Sequence, residues 1–262
     1  MINNNSYTNR LIKDIKYLKK NPIENIHYNH DETNIYIGYL LIIGSICTPY
    51  SYGFNFFKIE YPNTFPYEPP KITYFSNDGY IRYNPNLYTN GKVCLSILNT
   101  WTGDKWSSCI TLRTLFLSLN TIFNKQPLLN EPSIKENDIY IEKYNLLIKY
   151  KNIENNICNS LFKLNTFFSN NNLNNSNNLD IIDTFNYHFY NVMIETFINN
   201  CHNIFDNLYD LENFCTEHKI SKIFIPIYSN EVVFNFDKLK NDLNNLKKLI
   251  VDFNSYINKN NH

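Results

Sequence analysis

Residues 84–101 read NPNLYTNGKVCLSILNTW, a stretch that combines amide side chains, a turn and a thiol. Cys94 follows Asn86 by eight positions, and Gly91 lies between them. An amide beside a thiol can donate a hydrogen bond to an oxyanion, and a glycine permits a backbone path that a Cβ atom would block. The residues alone leave two interpretations of Cys94 open: a small buried side chain on a short strand, or a nucleophile on a shaped loop.

A general base is missing from this stretch, which limits the thiol chemistry that it can support. A cysteine hydrolase needs a base beside its nucleophile, and histidine is the usual one. All the histidines lie outside residues 84–132, so a hydrolase on an unrelated fold finds no local support. They are His27, His30, His188, His202, His218 and His262.

Upstream of this stretch, the apolar pattern changes from a helical period to a strand period. A helix is predicted over residues 7–20, where apolar side chains recur every three or four positions. The period then becomes two, which is typical of strands in an antiparallel meander. The predicted strands cover residues 25–30, 34–44, 51–60 and 72–75. Before the last of them, a proline-rich segment predicts a rigid, extended loop.

Downstream, the helical period returns and continues to the end of the chain. Helices are predicted over residues 112–123, 137–150, 185–208 and 239–253. An Asn-rich segment at about 165–179 has the composition of a flexible loop. The order of elements predicts an α+β protein.

The overall composition narrows the classes of partner. Lys and Arg together number 24, as do Asp and Glu, so the formal net charge is zero. We expect no nucleic-acid partner, because phosphate binding needs an excess of clustered cations. We also expect no membrane partner, because the longest apolar run, residues 39–47, is shorter than the roughly 20 residues that cross a membrane.

The cysteines show neither a metal-binding nor a disulfide pattern. No two of the six form a Cys-x-x-Cys pair, and no histidine lies at zinc-finger spacing from a cysteine pair. We therefore expect no metal and no cofactor. Residues 1–14 lack the apolar core of a signal peptide. Reduced thiols and a cytoplasmic or nuclear location are the resulting predictions.

Several motifs, in the same order along the chain, resemble the ubiquitin-conjugating enzyme family. Asn84-Pro85-Asn86 followed by Cys94 is similar to its active-site segment, in which most members have His-Pro-Asn. The basic first helix, the meander, the FPYEPPK loop at 65–71 and Trp106-Ser107 extend the likeness over about residues 5–150. Within the family, the chain is most similar to the Z-type and O-type enzymes. Those subgroups share the first asparagine and lengthen the segment between the cysteine and the tryptophan.

The resemblance implies a UBC fold with an N-terminal helix, a four-stranded antiparallel meander, an active-site loop and C-terminal helices. It assigns residues 1–155 to the catalytic core and 156–262 to an all-helical C-terminal extension that contains the Asn-rich loop. The extension either packs on the core or adds a surface that selects the activating enzyme or the modifier.

The resemblance also implies a mechanism. Cys94 would receive ubiquitin or a ubiquitin-like modifier as a thioester and pass it to a substrate lysine or a ligase. Asn86 would stabilise the oxyanion or order the loop, and Glu131 would orient the incoming lysine. A turn role for Asn86 and a helix-terminal charge role for Glu131 stay open. An inactive variant that acts as a binding scaffold is the alternative function, although such variants typically lack the cysteine.

The family likeness implies two docking surfaces. A RING or HECT ligase would contact Tyr67, Ser108 and Cys109, although the last two replace a common Pro-Ala pair. A ubiquitin-activating enzyme would dock on the basic face of the first helix. The residues of that face are Arg10, Lys13 and Lys16.

Overall fold

The computed structural model describes residues 4–170 and 181–260. Its first sheet has the strands β1 (Ile26–His30), β2 (Ile37–Ile43), β3 (Phe54–Glu60) and β4 (Lys71–Tyr74). The helices around that sheet are α1 (Asn4–Lys20), α2 (Leu112–Asn120) and α3 (Tyr140–Lys151). A π-helical segment, Asn152–Asn159, continues α3 into α4 (Ser160–Asn170). The later elements are α5 (Ile181–Glu217), β5 (Lys222–Ile225), β6 (Asn230–Val233) and α6 (Phe236–Asn260).

The first sheet is the predicted meander. Its strands are antiparallel and adjacent in chain order, β1-β2-β3-β4. On one face, Tyr28 packs against Phe116 of α2 with ring centroids 5.2 Å apart, and Phe57 packs against Phe123 at 6.3 Å. The predicted order of helix, meander and helices is confirmed, and α2 lies against this face of the sheet.

The opposite face of the sheet is covered by α5. Phe185 contacts Phe56 at 5.0 Å and meets Tyr39 edge-on at 5.6 Å between ring centroids. His188 stacks on Tyr39 at 4.9 Å and shares a 2.9 Å hydrogen bond with Asn29. Because both faces are covered, the last six residues of β2 and the first four of β3 are buried without a break, unlike the alternation of a half-exposed strand.

The contact of His188 with the sheet predicts a pH-dependent stability. Burial lowers the pKa of His188 below its ordinary 6.5, although Asp31 and Glu32 act in the opposite direction. The unfolded chain therefore takes up this proton first as the pH falls, so the stabilisation is complete above pH 6.5 and declines below it. We expect His188→Gln to weaken the fall in melting temperature between roughly pH 7.5 and 5.

Thermal unfolding at a series of pH values measures this effect. The pKa values of the two histidines in β1 are also lowered by burial, so some pH dependence is expected to persist in the variant. His202→Gln is the control, because the side chain of His202 on the same helix is 90% exposed. If the melting temperature of His188→Gln fell with decreasing pH as much as that of the wild type, the prediction would be contradicted.

The C-terminal extension departs from the prediction in two places. It is not all helical, because β5 and β6 form an antiparallel hairpin in which each strand has only four residues. Strands that short show too few alternations to be recognised. The first part of the predicted Asn-rich loop is also helical, because α4 continues to Asn170. Leu161, Leu164 and Phe167 of this helix are buried, and the free energy gained from their burial outweighs the poor helix propensity of asparagine. The rest of that loop, residues 171–179, lies outside the described residues.

The predicted domain boundary at 155/156 falls inside the continuous helical run from α3 to α4. The boundary stays a prediction. Within residues 4–170 and 181–260, no helix combines the length and apolar character needed to cross a membrane.

Candidate active site

The loop that carries Cys94 is closed by a reciprocal pair of hydrogen bonds with Asn86. The backbone N–H of Cys94 donates to the carbonyl oxygen of Asn86 at 2.8 Å. The side-chain Nδ2 of Asn86 donates to the carbonyl oxygen of Cys94 at 2.7 Å. The spacing of eight residues therefore brings the amide to the peptide unit of the cysteine. This geometry gives Asn86 the loop-ordering role.

Gly91 fastens the same loop to the sheet. Its carbonyl oxygen accepts the N–H of Tyr74 in β4 at 2.9 Å, and its φ is +86°. A Cβ atom on Gly91 would lie 3.0 Å from both Thr73 Cγ2 and the Tyr74 carbonyl oxygen. The glycine is therefore required by the positive φ and by the close approach of the loop to β4, which is the backbone path that a Cβ atom would block.

Asn84, where most of the family has histidine, is a buried support for this loop. Its Oδ1 accepts the N–H of Asn86 at 2.9 Å and the Nδ2 of Asn130 at 3.3 Å. Its own Nδ2 donates to the Tyr50 hydroxyl at 3.0 Å and to the Ile122 carbonyl at 2.8 Å. One fully buried amide thus joins the cysteine loop to the segment that leads to Glu131.

Cys94 is only 1% exposed. Its burial fits the first interpretation and its position on a loop fits the second, so the role of Cys94 as a nucleophile stays a prediction. An acyl group can reach Sγ only if neighbouring side chains move. All six cysteines are in the described part of the chain, and none of them forms a disulfide.

The described histidines lie away from the cysteine loop. His27 and His30 are in β1, at the opposite edge of the sheet from β4, against which the loop packs. His188 bonds to β1, and the exposed His202 and His218 are on α5 or just after it. His262 lies outside the described residues. Among the described residues, no histidine forms a hydrogen bond with Cys94 or Asn86. The same part of the chain contains no group of three His, Cys, Asp or Glu side chains that could hold a metal ion.

Glu131 has a partner that sequence reasoning did not identify. The hydroxyl of Tyr228 donates to its Oε2 at 2.9 Å. Tyr228 lies in a short 3-10 turn between β5 and β6, 97 residues further along the chain. Glu131 itself follows a 3-10 turn and precedes α3, which begins only at Tyr140, so a charge role at that helix terminus is not supported.

Arg82 lies between the hairpin and the cysteine loop. Its guanidinium is 3.7 Å from the ring centroid of Tyr88 and 4.7 Å from that of Tyr228. The same group donates a short hydrogen bond to the Pro85 carbonyl. Its backbone N–H donates to Asn230 Oδ1 at 3.1 Å. No local sequence pattern identifies these residues, because Arg82 and Asn230 are 148 positions apart in the chain.

The predicted ligase-binding residues lie on two loops that contact each other. Tyr67 is 67% exposed in the proline-rich loop. Trp106 Nε1 donates to the Pro66 carbonyl at 2.7 Å, which holds that loop against the segment leading to the half-buried Ser108 and the exposed Cys109. The structure thus places the three predicted residues in one region of the surface.

One of the three residues predicted to bind the activating enzyme, Arg10, makes contacts within the protein instead. Arg10 donates to the carbonyl oxygens of Ser108 at 3.1 Å and Ile110 at 3.2 Å, and it pairs with Asp14. Its guanidinium therefore supports the loop after Trp106. Lys13 and Lys16 are exposed on α1, and their docking role stays a prediction.

Comparison with known proteins agrees with the resemblance. A family model described as ubiquitin-conjugating enzyme matches residues 10–152. The ubiquitin-conjugating enzyme E2 Z of Xenopus tropicalis is 34% identical over 158 residues, covering 58% of this chain and 50% of that protein. Its namesake from Homo sapiens is 32% identical over 152 residues, covering 57% of this chain and 43% of its own length. The solved structure of human ubiquitin-conjugating enzyme E2 G1 is 28% identical with a TM-score of 0.39, covering 43% of this chain and 90% of that one. The chain thus spans half or less of the length of these two curated relatives.

Proposed function

The chain belongs to the ubiquitin-conjugating enzyme family, close to the Z-type members, and from this we propose that it carries ubiquitin or a ubiquitin-like modifier as a Cys94 thioester. The observation that supports the proposal is the reciprocal pair of hydrogen bonds between Cys94 and Asn86. This pair lies within the segment that the family model matches.

The first proposed step loads the modifier onto Cys94. The Cys94 sulfur attacks the carbonyl carbon of the thioester that joins the modifier to the activating enzyme. A C–S bond to Cys94 forms, the C–S bond to the activating enzyme breaks, and the departing thiolate takes a proton from the solvent in place of the one that Cys94 has lost. One thiol replaces another, so the exchange needs no strong base, which is compatible with the position of the histidines.

Asn86 is suited to the tetrahedral intermediate. A side-chain amide nitrogen carries two N–H groups, and one of them donates to the Cys94 carbonyl. That bond holds the amide beside the cysteine, and the second N–H can donate to an oxyanion formed there. Loop ordering and oxyanion stabilisation are therefore compatible in one side chain.

The second proposed step transfers the modifier. The uncharged amine of a lysine attacks the Cys94 thioester, a C–N bond forms, the C–S bond breaks and Cys94 leaves as a thiolate. The proton on the attacking nitrogen passes to the Glu131 carboxylate or to water. When a ligase cysteine is the acceptor, a C–S bond forms instead and a thiol replaces a thiol again.

The proposed partners follow the two surfaces described above. An activating enzyme would bind the α1 face with Lys13 and Lys16, and a RING or HECT ligase would bind the loops with Tyr67 and Cys109. A cytoplasmic or nuclear location is part of the same proposal.

One observation favours the second candidate function, an inactive scaffold. Cys94 is present, but its exposure of 1% is low for a nucleophile. A scaffold would bind ubiquitin or a ligase without forming a covalent adduct. The two functions therefore differ in a product that can be measured.

Thioester formation distinguishes these functions. The protein is incubated with ubiquitin, a ubiquitin-activating enzyme and ATP, and the products are separated on gels with and without reductant. We expect a band one ubiquitin heavier that disappears with reductant. If no such band forms with activating enzymes that charge another conjugating enzyme in parallel, the thioester function is rejected and the scaffold is favoured.

A further inference from the structure

The β5–β6 hairpin brings the C-terminal extension to the candidate active site. Ile223 and Ile225 of β5 are 3% and 0% exposed, so one face of the hairpin belongs to the core. Asn230, at the start of β6, is 1% exposed and bonds to both backbone groups of Arg82, at 3.1 Å to the N–H and 3.3 Å to the carbonyl. The hairpin is therefore fixed to the backbone of Arg82, two residues before Asn84. Its residues lie outside the range that the family model matches.

The fixed hairpin presents the ring of Tyr228 to Arg82. The guanidinium lies over the rings of both Tyr228 and Tyr88, and it also donates to the Pro85 carbonyl. Cation–π contacts of a partly buried arginine restrict the rings that it contacts. Through Arg82, the position of Tyr228 is therefore coupled to residues 85–88, which include Asn86.

The hydroxyl of Tyr228 is directed at Glu131. It donates to Oε2 at 2.9 Å, and both side chains are half-buried. Burial, followed by the hydrogen bond and the charge of Glu131, raises the pKa of Tyr228 well above its ordinary value. The hydroxyl therefore keeps its proton at neutral pH and remains a donor. A charge-assisted hydrogen bond of this kind restricts the rotamers of a carboxylate that would otherwise rotate freely.

We propose that Tyr228 is a positioning residue for Glu131, so that the C-terminal extension sets how efficiently the Cys94-bound modifier passes to an amine. This inference rests on the proposed thioester function. Glu131 takes part only when the acceptor is an amine that must be oriented and must lose a proton. A thiol acceptor is largely independent of that carboxylate. The extension should therefore influence the choice between lysine and thiol acceptors, and should leave loading unchanged.

Single-turnover discharge tests the proposal. The full-length protein is charged with ubiquitin, activation is stopped by removing ATP, and either free lysine or 2-mercaptoethanol is added. Tyr228→Phe, which keeps the ring and removes only the hydroxyl, is expected to slow discharge to lysine about tenfold while discharge to the thiol stays within about twofold. In a Glu131→Ala background, Tyr228→Phe is expected to cause no further slowing, because the two residues act as one unit.

Tyr150→Phe is the matched control. Its hydroxyl also joins α3 to the extension, accepting the N–H of Asn235 at 3.0 Å, but it makes no hydrogen bond to Glu131 or Arg82 among the described residues. This variant should discharge to both acceptors like the wild type.

Three outcomes would overturn the inference while leaving the thioester function in place. Tyr228→Phe could discharge to lysine at the wild-type rate, slow both acceptors equally, or slow lysine discharge further in the Glu131→Ala background. The last two would assign Tyr228 to packing. A wild-type protein that forms no thioester would instead overturn the proposed function, and the inference with it.

Discussion

Replacing Cys94 with serine is expected to abolish the adduct that reductant cleaves and to leave one that reductant cannot cleave. The serine oxygen accepts the same acyl group, and the resulting oxyester is stable to thiols but is hydrolysed by mild alkali. Cys94→Ala should form no adduct at all, because no nucleophile remains at that position. Gels with reductant, without reductant and after brief alkali treatment measure all three cases.

Cys47→Ser is the control for this experiment. Cys47 is exposed and lies in the turn between β2 and β3, outside every surface proposed here. It should retain the full reductant-sensitive adduct. An adduct that persists unchanged in Cys94→Ala would show that another thiol is loaded and would remove Cys94 from the mechanism.

Replacing Asn84 with alanine is expected to lower the free energy of unfolding by about 3 kcal/mol, because several buried groups lose their partner at once. The backbone N–H of Asn86, the Nδ2 of Asn130 and the Ile122 carbonyl all bond to this one side chain. Ile122 keeps a second donor in Asn130, at 3.1 Å. The Asn86 N–H loses the acceptor that sets its turn, so loading of Cys94 should also slow.

Urea unfolding of the variant measures the loss of stability. Asn90→Ala is the matched control, since Asn90 is exposed and accepts a similar turn bond from the N–H of Lys92 at 3.1 Å. That change should cost less than about 1 kcal/mol. Equal shifts of the urea midpoint in the two variants would show that Asn84 is not the support that its four hydrogen bonds indicate.

The elements that sequence reasoning predicted well are those whose evidence is local. In α1, Leu11, Ile15 and Leu18 are all buried, because the spacing that puts them on one side of a helix is the spacing that buries them. The meander was predictable for a related reason, since strands that follow one another in the chain usually pair with each other. The hairpin was missed because each of its strands has only four residues, and because β5 packs on α3, a contact that the local pattern does not record.

In the candidate site, too, local contacts were predictable from the sequence and long-range contacts were not. The pairing of Cys94 with Asn86 joins residues eight positions apart, and the motif contains both. The role of Arg10 could not be foreseen, because a basic residue on a helix has the same pattern whether it faces a partner or bonds to Ser108 across 98 positions. The supporting role of Asn84 depends on Tyr50, Ile122 and Asn130, which are distant in the chain and meet it only in the folded protein.

The sequence by itself determined the family and the order of elements in the first half of the chain, and it singled out Cys94 as the residue proposed to carry the thioester. These depend on periodicity and on short spacings, which the linear chain records directly. The tertiary structure alone decided that Cys94 is buried, that Arg10 supports a loop and that Tyr228 reaches Glu131. These facts depend on which distant side chains come into contact. Packing decides this, because the burial of apolar faces such as those of α5 and the hairpin also brings the polar residues of these elements to their partners.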